Sequence, residues 1–468
     1  MPDTTKKYNN NTVMHRLMFD QFKFFIPLAL TSVLIALTHT LFNAGLARLP
    51  NQDIYIAAFF VAKGFMNLFQ SAVFMIPQTA VTFVKSSKTY KKVLQFTALD
   101  ALFITILLGL VVISGLARWI MTNVMGLQGQ VLEQSLVILA VLSIFPAAVT
   151  LRNFFQGIAI RFRVTSIVTL SSIIRMIYVL IFIFIIKYLS FIPPGILAGI
   201  MFLGAGLIES LVLALTTRIT IGDIKGKLDT SNTESSNELE KKPADLTYGM
   251  IMRFFYPLIF TSLVTTIVQP IINTGLGRTA SPEMAISAFS VAWSLGYIFT
   301  NPLNMFHQLP MNFLEDDNRE SEKAIKLFGG IISIFLTLLL IIISFTPVGM
   351  YILTKWIGAS QQISVMSMDV LKLISFLPLL IVTREYLWGV LMRDKLTKVI
   401  GRGKIVSLST LIVSMLACSF INFANPAIIG ALGMISAELS EFIYLVIINM
   451  RHKREKSYSE IHGNQNIG

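Results

Sequence analysis

Two arginines occupy matching positions in two segments that repeat each other. Residues 145–161 read FPAAVTLRNFFQGIAIR and residues 377–393 read LPLLIVTREYLWGVLMR, which aligns Arg152 with Arg384 at an offset of 232 residues. Each lies nine residues before the arginine that ends its segment, which is about 13 Å along a helix. Guanidinium groups match the oxygens of phosphate and carboxylate groups. The pair therefore predicts a substrate-binding site for an anion.

Three glutamates are the candidates for ion coupling. Glu209 aligns with Glu441 at the same offset, and Glu438 lies three residues before Glu441, on the same face of a helix. A carboxylate in an apolar segment can carry a proton, or it can hold Na⁺ together with backbone carbonyls. An ion pair between a glutamate and a nearby arginine explains the same residues. The sequence leaves both readings open.

Four further polar residues lie in a second repeat, with an offset of 230. Residues 24–48 align with residues 254–278 without a gap, and ten of the 25 positions are identical. This repeat pairs polar residues on matching faces, namely His39 with Gln269 and Asn43 with Asn273. We list all four as substrate contacts in a central cleft. Hydrogen bonding between membrane helices is the alternative that the sequence leaves open.

The elements that position these residues are apolar helices. The chain is 54% hydrophobic and 13% charged, with a mean hydropathy of +0.71, whereas soluble domains carry about 25% charged residues. Apolar runs recur that are long enough to cross a hydrocarbon core of ~30 Å, which takes ~20 helical residues. We predict an all-α integral membrane protein with transmembrane helices near 22–47, 54–83, 93–116, 131–157, 164–187, 193–217, 250–276, 283–312, 325–347, 364–390, 405–423 and 427–449.

Few charged side chains fall within these predicted spans. A charge at the centre of a membrane helix costs about 2.5–3.5 kcal/mol, so each of them needs a cavity or a partner. They include Lys63, Asp100, Arg152, Arg175, Glu209, Lys372, Arg384, Glu438 and Glu441.

The net charge of +13 follows the membrane topology. With a cytoplasmic N-terminus, inside segments hold about 28 of the 38 Lys and Arg residues and outside loops about five. We therefore expect both termini in the cytoplasm, a multi-pass protein of the plasma membrane, and no nucleic-acid partner.

A polar segment divides the chain into two halves. We predict a cytoplasmic N-terminal segment at 1–21, an N-lobe of helices 1–6 at 22–218, a cytoplasmic linker at 219–249, a C-lobe of helices 7–12 at 250–450 and a cytoplasmic tail at 451–468. Because six is an even number, both lobes enter the membrane in the same direction and are related by a pseudo-twofold axis along the membrane normal.

The chain also resembles a known family. Residues 27–47, PLALTSVLIALTHTLFNAGLA, resemble the first helix of the progressive ankylosis protein family, residues 256–278 are similar to its seventh helix, and residues 376–392, FLPLLIVTREYLWGVLM, resemble its tenth. The resemblance implies the multidrug, oligosaccharidyl-lipid and polysaccharide flippase superfamily, with two six-helix lobes in a MATE-like V. It implies outward movement of anions and a role for Arg384. Arg152 rests on the internal repeat, and the first helix has Ala36 and His39 where the family leads us to expect acidic residues.

Our first hypothesis is a secondary active transporter that exports a small organic or phosphate-containing anion, of the citrate, pyrophosphate or nucleotide class, by alternating access of the two lobes. The alternatives are a Na⁺- or H⁺-coupled multidrug exporter and a flippase for a lipid-linked precursor. We expect no enzyme, because the five histidines are scattered and most loops are short. We expect a monomer in the lipid bilayer, with an anionic small molecule as substrate and no metal or cofactor other than a coupling Na⁺ or H⁺.

Overall fold

The computed structural model describes residues 10–162, 164, 166–189, 191–235, 246–314, 319–394, 396–421 and 423–463. These residues form α-helices joined by short turns, with single turns of 3₁₀ or π helix between some of them. The helices are α1 (Asn10–Leu46), α2 (Gln52–Phe69), α3 (Ile76–Phe83), α4 (Ser87–Ile113), α5 (Leu116–Trp119), α6 (Gly129–Leu142), α7 (Phe145–Arg161), α8 (Ser166–Ile185), α9 (Pro194–Ile221), α10 (Ile224–Ser235), α11 (Tyr248–Thr266), α12 (Val268–Gly277), α13 (Pro282–Thr300), α14 (Gln308–Phe313), α15 (Arg319–Phe345), α16 (Pro347–Tyr351), α17 (Gln361–Ile374), α18 (Leu377–Arg393), α19 (Thr397–Ser419) and α20 (Ile428–Gly463).

Each predicted span falls on one helix or on a bent pair of helices. Within the described residues, seven helices are long and apolar enough to cross a membrane, and three bent pairs pass the same test when each is taken as one span. The predicted span at 22–47 falls on α1, and the one at 283–312 falls on α13 and α14, which a 3₁₀ turn at Asn301–Met305 separates.

Prolines account for three bends at which a span predicted as one helix is two helices. The pairs α2 and α3, α6 and α7, and α17 and α18 are bent by 61°, 46° and 42°. The second helix of each pair has a proline in its first turn, namely Pro77, Pro146 or Pro378. A proline lacks the N–H that would continue the helix and its ring crowds the preceding turn. The predicted spans at 54–83, 131–157 and 364–390 are therefore two helices each.

Some helix ends differ from the predicted ones for local reasons. α4 begins at Ser87, six residues before the predicted start, because the Ser86 side chain accepts from the backbone N–H of Thr89 and the Thr89 hydroxyl accepts from the N–H of Ser86. The predicted linker contains α10, whose Ile224 and Leu228 are buried. α20 continues through Gly463, into the predicted tail.

The chain divides into two compact units. The larger unit comprises Thr38–Val291 and Leu353–Ser364, and the smaller unit comprises the described residues up to Leu37, Ala292–Ile352 and those from Val365 onwards. The predicted lobes at 22–218 and 250–450 stay a prediction.

A glycine in each unit permits the same close contact between helices. In the larger unit, a Cβ on Gly157 of α7 would lie 2.6 Å from Cβ of Ala80 and 2.8 Å from the carbonyl oxygen of Pro77. In the smaller unit, a Cβ on Gly389 of α18 would lie 2.5 Å from the carbonyl oxygen of His307. His307 is the repeat equivalent of Pro77, at the offset of 230. The duplication is thus preserved in the packing, and it fixes where His307 lies.

Candidate functional site

The carboxylate of Glu209 is the centre of a polar cluster in the larger unit. Its Oε1 accepts from Arg152 at 3.1 Å and from the Ser172 hydroxyl at 3.0 Å, while its Oε2 accepts from Arg175 at 2.8 Å. The glutamate comes from α9, Arg152 from α7, and Ser172 and Arg175 from α8. The Glu209 side chain is 4% exposed and the two arginines are 18% and 16% exposed, so the ion pairs lie largely out of water.

The cluster continues to α1 and α2 through Arg175. This arginine also donates to the Thr38 hydroxyl at 3.3 Å, and the next residue, His39, has its Nδ1 2.9 Å from Nζ of Lys63. We call Lys63, Arg152, Arg175, His39 and Glu209 the larger-unit cluster. It contains three cations and one carboxylate, so its formal charge is +3 − 1 = +2 with His39 neutral.

A second cluster lies around Arg384 in the smaller unit. This arginine donates to Glu438, to Glu385 at 2.6 Å and to the Asn304 side chain at 3.0 Å. The other oxygen of Glu385 lies 2.7 Å from Nδ1 of His307. We call Arg384, Glu385, Glu438 and His307 the smaller-unit cluster. It contains one cation and two carboxylates, so its formal charge is +1 − 2 = −1 with His307 neutral.

Glu441 is bound by different partners from those of its repeat equivalent, Glu209. The fully buried Glu441 accepts from Lys404 at 2.9 Å and from the indole N–H of Trp388 at 3.1 Å. Lys404 stands 232 residues after Ser172, and Trp388 stands 232 residues after Gln156. The scaffold of the site is therefore duplicated, whereas its ligating side chains are not.

This exchange explains why the two mirrored arginines have different environments. Arg152 donates to Gln156 at 2.8 Å and to Glu209. The equivalent of Gln156 is Trp388, which donates its indole N–H to Glu441. Arg384 pairs instead with Glu438, whose equivalent in the other half is Gly206.

The two asparagines of the repeat make interhelical hydrogen bonds that mirror each other within the larger unit. Asn43 donates to the carbonyl of Ser290 at 3.1 Å, and Asn273 donates to the carbonyl of Phe60 at 3.5 Å. Ser290 and Phe60 are themselves equivalent at the offset of 230. Gln269 donates to the same carbonyl of Phe60 at 3.1 Å. These contacts match the alternative of hydrogen bonding between helices.

The family comparison agrees with the sequence resemblance. The model of the family described as Progressive ankylosis protein (ANKH) matches residues 11–279 and residues 239–455. The chain belongs to the progressive ankylosis protein family.

Solved structures of transporters have the same fold as this member of the progressive ankylosis family. An inward-facing multidrug resistance MATE family transporter of the MOP superfamily gives a TM-score of 0.63 at 14% identity, covering 92% of this chain and 99% of the other. The lipid II flippase MurJ, in an inward closed conformation, gives 0.54 at 14% identity and 90% and 86% coverage. A MOP superfamily transporter from Pyrococcus furiosus gives 0.50 at 14% identity and 96% and 98% coverage. The predicted fold class is confirmed: an all-α integral membrane protein of the MATE-like type, with about twelve transmembrane helices in two homologous bundles.

The structure brings some of the predicted site residues together and separates others. Arg152, Glu209 and His39 belong to the larger-unit cluster, and Arg384 and Glu438 to the smaller-unit cluster. Asn43, Gln269 and Asn273 bind backbone carbonyls instead, and Glu441 binds Lys404 and Trp388. Their roles in this progressive ankylosis family member stay predictions.

Four cluster members were given no role from the sequence. Arg175 and Lys63 are charged residues in apolar spans, but their repeat equivalents are Ser407 and Trp293, so a search for mirrored charges passes over them. His307 and Glu385 stand opposite a proline and an asparagine in the other half. The signal that finds them is the ionisable side chain itself at membrane depth.

Proposed function

We propose that this membrane transporter exports a small organic or phosphate-containing anion, of the citrate, pyrophosphate or nucleotide class, and binds it at the larger-unit cluster. The observation that carries this proposal is the cluster's formal charge of +2, with three cations against the single carboxylate of Glu209. A bound anion supplies the missing negative charge.

The electrostatics favour a charged substrate over a neutral one. Uncompensated charge inside the bilayer is costly, and the Coulomb attraction between an anion and a cation grows as the local dielectric constant falls. An anion of charge −2 makes the cluster neutral. A cationic drug at the same place adds to the repulsion, so the cluster's formal charge opposes a multidrug substrate there.

The chemistry of the cations suits oxyanions. Arg152 and Arg175 converge on the two oxygens of one carboxylate, which is the geometry of guanidinium groups that grip a planar or tetrahedral oxyanion. Each retains a buried Nε that makes no hydrogen bond within the described structure. A substrate carboxylate or phosphate therefore finds unused donors at arginines that Glu209 already orients.

The two mirrored arginines, Arg152 and Arg384, have different roles in this proposal. Arg384 is 6% exposed and is held between Glu438 and Glu385, so its charge is already compensated. We assign Arg152, with Arg175 and Lys63, to the substrate, and Arg384 to the smaller-unit cluster. Family and fold support a transporter, and we propose a monomer of the plasma membrane with both termini in the cytoplasm, driven by an ion gradient and without a cofactor.

Flux into proteoliposomes tests the proposal. Purified protein is reconstituted and supplied with citrate, pyrophosphate or ATP, and in parallel with cationic dyes and with a lipid-linked saccharide. We expect saturable anion flux that Arg175→Gln reduces and Arg118→Gln leaves unchanged, since Arg118 forms an ion pair with Glu133 that is more than half exposed. Dye flux without anion flux would favour the multidrug alternative, and movement of the lipid-linked saccharide alone would favour the flippase.

A further inference from the structure

His307 stands in an arrangement that sets its tautomer. Its Nδ1 lies 2.9 Å from the carbonyl oxygen of Asn304 and 2.7 Å from a carboxylate oxygen of Glu385. Both neighbours are hydrogen-bond acceptors, so Nδ1 carries a hydrogen whatever the charge of the ring. The charge is decided at Nε2.

Nε2 faces a partner that can accommodate both charge states. It lies 3.0 Å from the amide nitrogen of Gln308. When this N–H donates, Nε2 is the acceptor and the ring is neutral. A half-turn of the Gln308 amide presents its oxygen to Nε2 instead, and a protonated Nε2 can then donate to it. Adding one proton to His307 therefore needs no change in the backbone.

Protonation of His307 neutralises the formal charge of the smaller-unit cluster. With His307 neutral the smaller-unit cluster carries −1, and with His307 protonated it carries 0. Within the described residues, the charged groups around the ring are Glu385 and Arg384 from α18, and Glu438 from α20, which reaches the ring through Arg384. α15 also packs against α14, and its Glu322 is paired with Lys326.

Among these groups, histidine is the side chain whose ordinary titration falls between pH 5 and 8. The three glutamates first expected to couple ions are each bound by Arg or Lys: Glu209 by two arginines, Glu438 by Arg384 and Glu441 by Lys404. An arginine cannot release its proton. A Na⁺ ion at Glu385 would lie beside the guanidinium of Arg384, 2.6 Å from that carboxylate, and would be repelled.

We infer that His307, held by Glu385, is the proton-binding site through which anion transport is coupled to a proton gradient. The larger-unit cluster accepts the anion and the smaller-unit cluster accepts the proton. The inference rests on the proposed function for its transport part, whereas protonation of His307 is independent of any substrate.

Two measurements test it. Solid-state ¹⁵N spectra of histidine-labelled protein in liposomes should contain a signal, absent from His307→Gln, that has its hydrogen on Nδ1 at high pH and becomes imidazolium between pH 5 and 8. His452→Gln is the matched control, because His452 also faces a carboxylate, that of Asp394, at 3.6 Å and lies outside the cluster. A His307 signal that keeps one form over this range overturns the inference.

The second measurement is anion flux under an imposed pH gradient, compared with flux without one. A gradient of one pH unit is a tenfold difference in proton concentration, so we expect it to change wild-type and His452→Gln flux by about threefold to tenfold. We expect His307→Gln and Glu385→Gln to lose this response, whereas His452→Gln keeps it. A full response in both variants overturns the inference. Absence of all anion flux in the wild type refutes the proposed function instead, and the ¹⁵N titration then judges the proton site alone.

Discussion

Replacing Glu209 with glutamine should strongly destabilise the larger unit. The side chain is 4% exposed and accepts three hydrogen bonds, two of them from arginines that are less than one fifth exposed. Glutamine has almost the same shape, but either orientation of its amide turns an N–H donor towards a guanidinium that can only donate. Two cations then lose their carboxylate at once.

The magnitude follows from the burial of the pair. Removing one partner of a buried ion pair costs about 3–5 kcal/mol, and glutamine keeps one acceptor, so we expect about 3 kcal/mol at the low end of that range. For a unit of this size, each kcal/mol lowers the melting temperature by roughly 2–4 °C, which gives a decrease of about 6–12 °C.

Thermal unfolding of the purified protein in detergent measures this decrease. Glu133→Gln is the matched control, because its pair with Arg118 is more than half exposed and an exposed pair contributes little to stability. In the double variant Glu209→Gln/Arg175→Gln, the loss should be smaller than the sum of the single losses by at least ~1 kcal/mol, because Arg175 is no longer left unpaired. A Glu209→Gln protein that melts within about 2 °C of the wild type would refute the reasoning.

Five further substitutions test other parts of the structure. Gly157→Ala and Gly389→Ala should each lower the free energy of unfolding by about 1–3 kcal/mol, because the added Cβ lies 2.8 Å or less from a backbone atom. Gly109→Ala, with open space around its Cβ position, should instead stabilise α4 by up to about 1 kcal/mol. Equal effects at the three sites would contradict the packing. Lys63→Gln should weaken anion binding about tenfold or more in equilibrium titrations, because a charge-assisted hydrogen bond contributes about 1.5–3 kcal/mol, and unchanged affinity would remove Lys63 from the site. Ser86→Ala should cost ~1 kcal/mol and speed amide exchange in the first turn of α4, and unaltered exchange there would show that the Ser86 cap does not hold this helix end.

The fold could be predicted from the sequence because the bilayer imposes length and hydropathy on each span. The apolar runs located the seven helices and three bent pairs that are long and apolar enough to cross a membrane within the described residues, and the repeat at 24–48 and 254–278 predicted two halves that are built alike. The sequence predicted each bent pair as one continuous helix, because hydropathy does not distinguish a straight helix from a broken one. Pro146 and Pro378 were visible as repeated residues, but they did not by themselves indicate a break. The capping pair Ser86 and Thr89 lies in a polar stretch that hydropathy ignores.

The candidate site could be predicted only in part. Repetition located Arg152, Arg384, Glu209 and Glu441, but it also suggested that equivalent residues have equivalent partners. The structure shows that Trp388 and Lys404 replace Gln156 and Ser172, which changes the partners of both carboxylates. Such an exchange depends on which side chains meet across helices, and residue spacing along one helix does not contain that information. The opposite charges of the two clusters therefore became visible only when the contacts were known.

The central claim is that the anion binds at the larger-unit cluster and not at the smaller-unit cluster. Its most direct test is equilibrium binding of radiolabelled pyrophosphate, citrate and ATP to purified Arg175→Gln and Arg384→Gln proteins that elute as folded monodisperse species. We predict that Arg175→Gln weakens binding of the transported anion by about tenfold or more, and that Arg384→Gln leaves its affinity within about threefold of the wild type. Loss of binding in Arg384→Gln together with wild-type affinity in Arg175→Gln would contradict the account.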